Sequence, residues 1–152
     1  MRGKNRMKID TRNLGVVEYK EEKVIVFQEG IPGFEELTRF ILLEDREIEG
    51  FLYLQSVEDK NICFVMTDPY SLKSDYTPSI NESYFEKLGG GVDEDFALYA
   101  IACIKEVIQE STINLVGPIL IHTKNMKGIQ VIAEDKVYQT KHLMIDLLEE
   151  RG

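Results

Sequence analysis

Two apolar runs, Phe51-Leu52-Tyr53-Leu54 and Ile62-Cys63-Phe64-Val65-Met66, flank a polar segment from Ser56 to Asn61 that carries Glu58-Asp59-Lys60 at its tip. Aromatic and β-branched residues on both sides of a turn-prone stretch read as a β-hairpin. Both runs are apolar on successive residues, so both faces of each strand must be covered. In an all-β protein the opposite wall of a small barrel covers one face, and a helix or loop covers the other.

Upstream, Met7 to Thr11 and Val16 to Lys20 read as two short strands around Asn13-Leu14-Gly15. Val24-Ile25-Val26-Phe27 is a buried strand ended by Gly30. In Ile31-Pro32-Gly33-Phe34, Pro32 presets the second position of a β-turn, and Gly33 accepts the positive φ that a type II turn needs at the third. Glu35 and Glu36 then favour a short helical turn before a strand at Phe40-Ile41-Leu42-Leu43.

Downstream, Pro78 to Leu88 predicts a helix. Ser79 and Glu82 have capping-box spacing, Tyr84, Phe85 and Leu88 form its stripe, and Gly89-Gly90-Gly91 ends it. Phe96 to Val107 reads as a long strand, followed by β-rich Thr112 to Val116 and Pro118 to Thr123. Beyond a Lys124 to Gly128 loop, a last hairpin is expected from Ile129 to Ala133 and Val137 to Thr140 through Glu134-Asp135-Lys136. His142 to Glu150 closes as an amphipathic helix with Met144, Leu147 and Leu148 on one face. The expectation is a mainly β, small antiparallel barrel-like domain with one or two short accessory helices.

The 152 residues suit one domain able to bury a core without disulfides. With 27 acids, 18 bases and a net charge of -9, direct binding to nucleic acid is disfavoured and a basic partner favoured. Four of the bases, Arg2, Lys4, Arg6 and Lys8, lie in the first eight residues, leaving 14 bases against 27 acids, or -13, on the remainder. Residues 1–6 are expected to be a flexible basic extension, with Met7 as a natural start, and residues 7–152 a single domain. The longest apolar run, Phe96 to Ile104, is too short for a spanning helix, which needs about 20 residues. No signal-peptide segment is present, and Cys63 and Cys103 sit in apolar runs as inert core thiols, which fits a reduced cytoplasm.

Catalytic signatures are missing. His122 and His142 lack any zinc-ligand context, Ser56 and Ser71 lack a nucleophile elbow, and the triple glycine is followed by Asp93-Glu94-Asp95, which would repel phosphate. The acidic pairs, among them Glu21-Glu22, Glu134-Asp135 and Glu149-Glu150, have no EF-hand spacing. No metal and no cofactor is expected. Asn114, inside an otherwise apolar segment, is expected to satisfy backbone groups near Gly117-Pro118.

Taken in order, Phe27, Gly30-Ile31-Pro32-Gly33-Phe34, Leu54-Gln55-Ser56, Glu58-Asp59, Phe64, Asp68-Pro69, Tyr76, Thr112-Ile113-Asn114-Leu115, Pro118-Ile119 and Gln130-Val131 resemble the FliW family of flagellar assembly factors. The match runs from about Met7 to about Leu148. The resemblance implies a bacterial cytoplasmic, barrel-like protein, not an enzyme, that is a monomer when free. It implies binding to the basic RNA-binding translational regulator CsrA, relieving repression of flagellin messenger RNA, and binding to flagellin, so that partner exchange couples flagellin level to translation. Candidate partner-binding residues are Phe34, Glu35, Glu36, Glu58, Asp59, Asp68 and Tyr70. Gly30, Pro32, Gly33, Gln55, Pro69, Asn114 and Pro118 read as structural motif positions. Two alternatives compete: a small barrel binding single-stranded nucleic acid through a basic groove with stacking aromatics, and a hydrolase with two converging carboxylates, one of raised pKa.

Overall fold

The structure, a computed structural model, describes residues 6–151. Residues 1–5 of the expected N-terminal extension lie outside the described residues, and Arg6 opens the first strand. The described residues form eleven strands: β1 (Arg6–Thr11), β2 (Gly15–Lys20), β3 (Ile25–Val26), β4 (Arg39–Glu44), β5 (Phe51–Ser56), β6 (Cys63–Thr67), β7 (Phe96–Cys103), β8 (Thr112–Ile113), β9 (Ile119–His122), β10 (Lys127–Gln130) and β11 (His142–Leu143). Three short helices accompany them: α1 (Pro69–Leu72), α2 (Glu82–Lys87) and α3 (Met144–Arg151). The chain is mainly β, as the patterning predicts.

The sheet closes on itself. Its order runs β7-β6-β5-β4-β3-β10-β9, and β9 pairs back onto β7, giving a barrel-like ring of seven strands. The length of β7 makes this possible. Phe96 to Tyr99 pair with β9, Ala100 and Ile101 with β6, and Ala102 and Cys103 with β8, to which β11 adds. The pairings are antiparallel except that of β3 with β10, which meet in parallel at Val26 and Lys127.

Alternate residues of each wall face different cores, which is why these strands are apolar throughout. Inside the ring pack Phe27, Phe40, Leu54, Met66, Ile119 and Ile121. A second core, beneath α1 and α3, gathers Tyr76, Ala100, Ile113, Leu115, Met144 and Leu147, with Val65 from β6 against it. The β1–β2 hairpin lies on the outer face of β4, placing Val17 on Ile41. α2 covers β9 and β10 through Leu88, Leu120 and Ile129.

Five local expectations are corrected and one element is added. The Pro78 to Leu88 helix is only Glu82–Lys87. Ser79 gives its N–H to Asp135 at 2.6 Å and its hydroxyl to the same carboxylate at 3.2 Å, so the cap falls to Asn81, which accepts from the Ser83 N–H at 2.9 Å. The last hairpin does not form, because the backbone N–H groups of Val131, Ala133 and Glu134 donate to Pro118, Val116 and Ser79, leaving 131–141 irregular. Glu35 and Glu36 occupy a turn closed by Leu37 N–H to Phe34 C=O at 3.0 Å, not a helix. α1 was not anticipated, although Asp68 as N-cap and Pro69 at the first helical position are its expected signals. Leu148 is exposed rather than on the buried stripe of α3. Cys103 is exposed at the end of β7, so it is not a core thiol.

Candidate functional site

Five of the seven candidate partner-binding residues come together where the Ile31–Phe34 turn meets the β5–β6 hairpin tip. Gly30 has φ +68° and Gly33 φ +91°, and the turn is closed by the Phe34 N–H to the Ile31 C=O at 2.6 Å. This projects Phe34, 37% exposed, edge-on to Phe64 of β6 at 5.3 Å between ring centroids. Glu35 accepts the Gly33 N–H at 3.1 Å, and bonds from that N–H and its own hold its carboxyl below the usual range.

The hairpin tip is held on three sides. Ser56, fully buried, accepts the N–H groups of Glu58 and Asp59 on its hydroxyl at 3.0 and 2.9 Å. Gln55, also fully buried, donates through Nε2 to the carbonyls of Ser56 and Lys60, both at 3.0 Å, and accepts the Arg12 N–H at 3.1 Å. Arg12 donates to the Asn61 carbonyl at 2.9 Å and Lys60 pairs with Asp10 at 2.8 Å, so the β1–β2 hairpin braces the tip. Glu58 is not free for a partner on both oxygens: Oε1 accepts from Thr38 N–H at 2.8 Å and Arg39 N–H at 3.0 Å. Asp59 accepts the Asn61 N–H at 3.0 Å. Glu36 is exposed.

Asp68 and Tyr70 lie apart from these, at the other end of β6, whose five residues span about 15 Å. Asp68 caps α1 by accepting the Tyr70 N–H at 2.9 Å. Tyr70, 44% exposed, packs against Tyr76 at 5.7 Å, and burial holds its phenol above the ordinary value. Tyr76 is buried and donates its hydroxyl to the Leu115 carbonyl at 2.6 Å, while its ring meets Tyr138 edge-on at 4.8 Å. Beside Tyr70 opens a groove of about 540 Å³ walled by Tyr76, Pro78, Phe85 and Phe96, with Asp93 on its edge.

The sequence reading missed one acidic element. Glu44 at the end of β4 and Asp45, Glu47 and Glu49 in the loop to β5 follow closely along the chain, where Ile48 is 54% exposed. Asp45 organises it by accepting the Glu47 and Ile48 N–H groups at 2.8 and 2.7 Å and the Tyr53 hydroxyl. Four carboxylates in six residues were the available signal. The Tyr53–Asp45 bond lowers the Asp45 pKa and pushes the phenol up to about 12.

These groups do not assemble a catalytic pair. The carboxyls with a clear displacement all move down: Glu35 and Asp45 as above, and Asp95 through Lys124 at 2.9 Å and the Val92 N–H at 3.0 Å. The converging pair with one raised carboxyl that a hydrolase requires is therefore not formed by them. Cys63 is half-buried, and burial raises its thiol pKa, the wrong direction for a nucleophile. His122 is buried with Nε2 on the Gly90 carbonyl at 2.9 Å. Among the described residues no three His, Cys, Asp or Glu side chains are grouped to hold a metal ion, and no helix is long and apolar enough to cross a membrane. Asn114 has the role expected of it, accepting the Val116 and Gly117 N–H groups at 3.1 and 2.8 Å.

Comparison with known proteins matches the family model "FliW protein" to residues 8–144. The flagellar assembly factor FliW of Caldanaerobacter subterraneus subsp. tengcongensis is 40% identical over 144 residues, covering 94% of this chain and 96% of that one. The FliW of Alkaliphilus metalliredigens is 39% identical over 145 residues, covering 94% and 89%. A crystal structure of the flagellar assembly factor FliW superposes with a TM-score of 0.85 at 34% identity, covering 91% of this chain and 96% of the other. With a ring-shaped β-domain and family motifs running in order along it, the chain belongs to the FliW family of flagellar assembly factors.

Proposed function

We propose that this protein is a cytoplasmic, non-enzymatic regulator of flagellum assembly that binds CsrA, frees flagellin messenger RNA from repression, and is itself titrated by flagellin. The observation that carries this reading is the aromatic groove beside Tyr70, edged by Asp93 and flanked by Asp68, on a chain of net charge -9. A half-open aromatic wall supplies anchoring area, and the surrounding carboxylates steer and select a cationic protein. CsrA must be cationic where it meets RNA, so the same field that attracts CsrA repels its RNA. The braced tip bearing Phe34, Glu35, Glu36, Glu58 and Asp59 is a second contact surface, rigid enough to lose little entropy on binding.

The test is a gel shift with CsrA and a labelled flagellin leader RNA. Added protein should release the RNA, and the Tyr70→Ala variant should release it at least about tenfold less effectively, the scale of a lost aromatic anchor. Unchanged CsrA–RNA binding in the presence of excess wild-type protein would refute the reading. The Tyr70 groove is a poor seat for single-stranded RNA because it is edged by acid rather than base.

A further inference from the structure

One cleft on the ring differs in character from the rest of the surface. This cleft of about 580 Å³ is lined by the β1–β2 hairpin and by β3, β4, β7 and β9, and lies within the size range of small-molecule sites, about 300–1,000 Å³. Its floor is aliphatic: Leu42, Ala97 and Ile121 line it, with Ile121 continuous with the core inside the ring. Its rim is cationic on a chain that is otherwise acidic. Arg6, Lys20 and Lys23 stand there with Glu18 as the lone acid of the lining, and Glu18 is engaged by Arg6 at 3.7 Å. Lys20 and Lys23 have no ion-pair partner among the described residues. Tyr99 also lines the cleft, and its hydroxyl makes no hydrogen bond among the described residues. Burial and the fields of Asp68 and Glu44 hold that phenol above its ordinary pKa.

We propose that this cleft binds a single-chain aliphatic carboxylate, its tail against Leu42, Ala97 and Ile121 and its head between Lys20 and Lys23. An apolar floor alone would accept any aliphatic chain. The two unpaired lysines select an anionic head over a neutral or cationic one. The inference stands on this cleft and does not depend on the reading of the Tyr70 groove.

Sodium decanoate below its micellar concentration, titrated calorimetrically into the full chain, tests it. Decanol and decyltrimethylammonium serve as matched tails with neutral and cationic heads, and phosphatidylglycerol vesicles as an anionic surface. The expected result is saturable binding of one decanoate per chain, with shifts confined to Leu42, Tyr99 and Ile121 in methyl and aromatic NMR spectra. Lys20→Glu with Lys23→Glu, both exposed, should weaken it at least about tenfold, and so should Ala97→Phe, which fills the cleft. If Ala97→Phe does not fold, the lysine double variant and the NMR shifts decide. Absence of saturable binding, equal binding of decyltrimethylammonium, binding to vesicles without binding to monomeric decanoate, or undiminished binding by the lysine variant would each overturn the proposal.

Discussion

Replacing Gln55 by leucine probes the brace that holds the acidic hairpin tip. Gln55 is fully buried, and its amide joins three segments: it accepts from Arg12 N–H at 3.1 Å and donates to the carbonyls of Ser56 and Lys60 at 3.0 Å and of Ile62 at 3.3 Å. Leucine nearly conserves volume but offers no polar partner. The Ile62 carbonyl keeps its bond from the Ser56 N–H at 3.0 Å, so it is not orphaned. The Arg12 N–H and the Ser56 and Lys60 carbonyls lose their bonds to Gln55; at about 1 kcal/mol each, the lower end of the roughly 1–3 kcal/mol cost of an unsatisfied group, they sum to about 3 kcal/mol. The added apolar contact of leucine recovers about 1 kcal/mol. The net loss is about 2 kcal/mol, a shift of about 1 M in urea midpoint for an m-value near the middle of the usual range. Urea unfolding followed by far-ultraviolet circular dichroism measures it. A loss below about 0.5 kcal/mol with unchanged m would show that the amide network does not hold the tip, and the argument for a preorganised acidic surface would fall with it.

Three further outcomes are expected. Gly30→Ala should cost about 3 kcal/mol or more and leave little folded protein on purification, because the position has φ +68° and a Cβ there would sit 2.5 Å from the Glu35 Cα; near-native stability by thermal melting would contradict this. His142 accepts the Gln139 N–H on Nε2 at 2.8 Å, and burial together with Lys73 lowers its pKa. Its folded pKa is therefore below the unfolded value of 6.5, so the protonated ring favours unfolding. Its contribution is fully present above pH 6.5 and is lost as pH falls toward the folded pKa; melting temperature should drop over that window, and His142→Gln should remove that part of the slope. Finally, if the acidic surfaces steer a cationic partner, the stopped-flow association rate with CsrA should fall between low and physiological ionic strength, about 0.15 M, and a flat response would refute the electrostatic role.

The parts of this fold that a sequence reveals are those with local physical causes. The β5–β6 hairpin, the Gly33 turn and the glycine stop after α2 follow from periodicity and φ, and the doubly apolar strands foretell cores on both sides of the wall. Asn114 is legible for the same reason: an amide in an apolar run next to Gly117-Pro118 has nearby N–H groups to accept from. What fails is decided by distant partners. Ser79 has the right spacing to cap a helix, but Asp135, 56 residues away, takes its donors. The 131–141 segment looks like a hairpin, yet its backbone groups are claimed by Val116, Pro118 and Ser79. The site shows the same division. Glu58 and Asp59 are visible as a charged tip, but the two hydrogen bonds that Glu58 accepts from the Thr38 and Arg39 N–H groups, which make it a fastener of the neighbouring turn, are not. The aromatic groove beside Tyr70 draws on α1, α2 and β7 and exists only once they are packed.

The central claim is partner exchange, and a three-component titration tests it most directly. CsrA and labelled leader RNA are first dissociated by a fixed excess of this protein, and flagellin is then added. The account predicts that RNA returns to CsrA in proportion to flagellin, with the midpoint near equivalence to the protein. RNA that stays free however much flagellin is added, while the protein demonstrably binds CsrA, would contradict it.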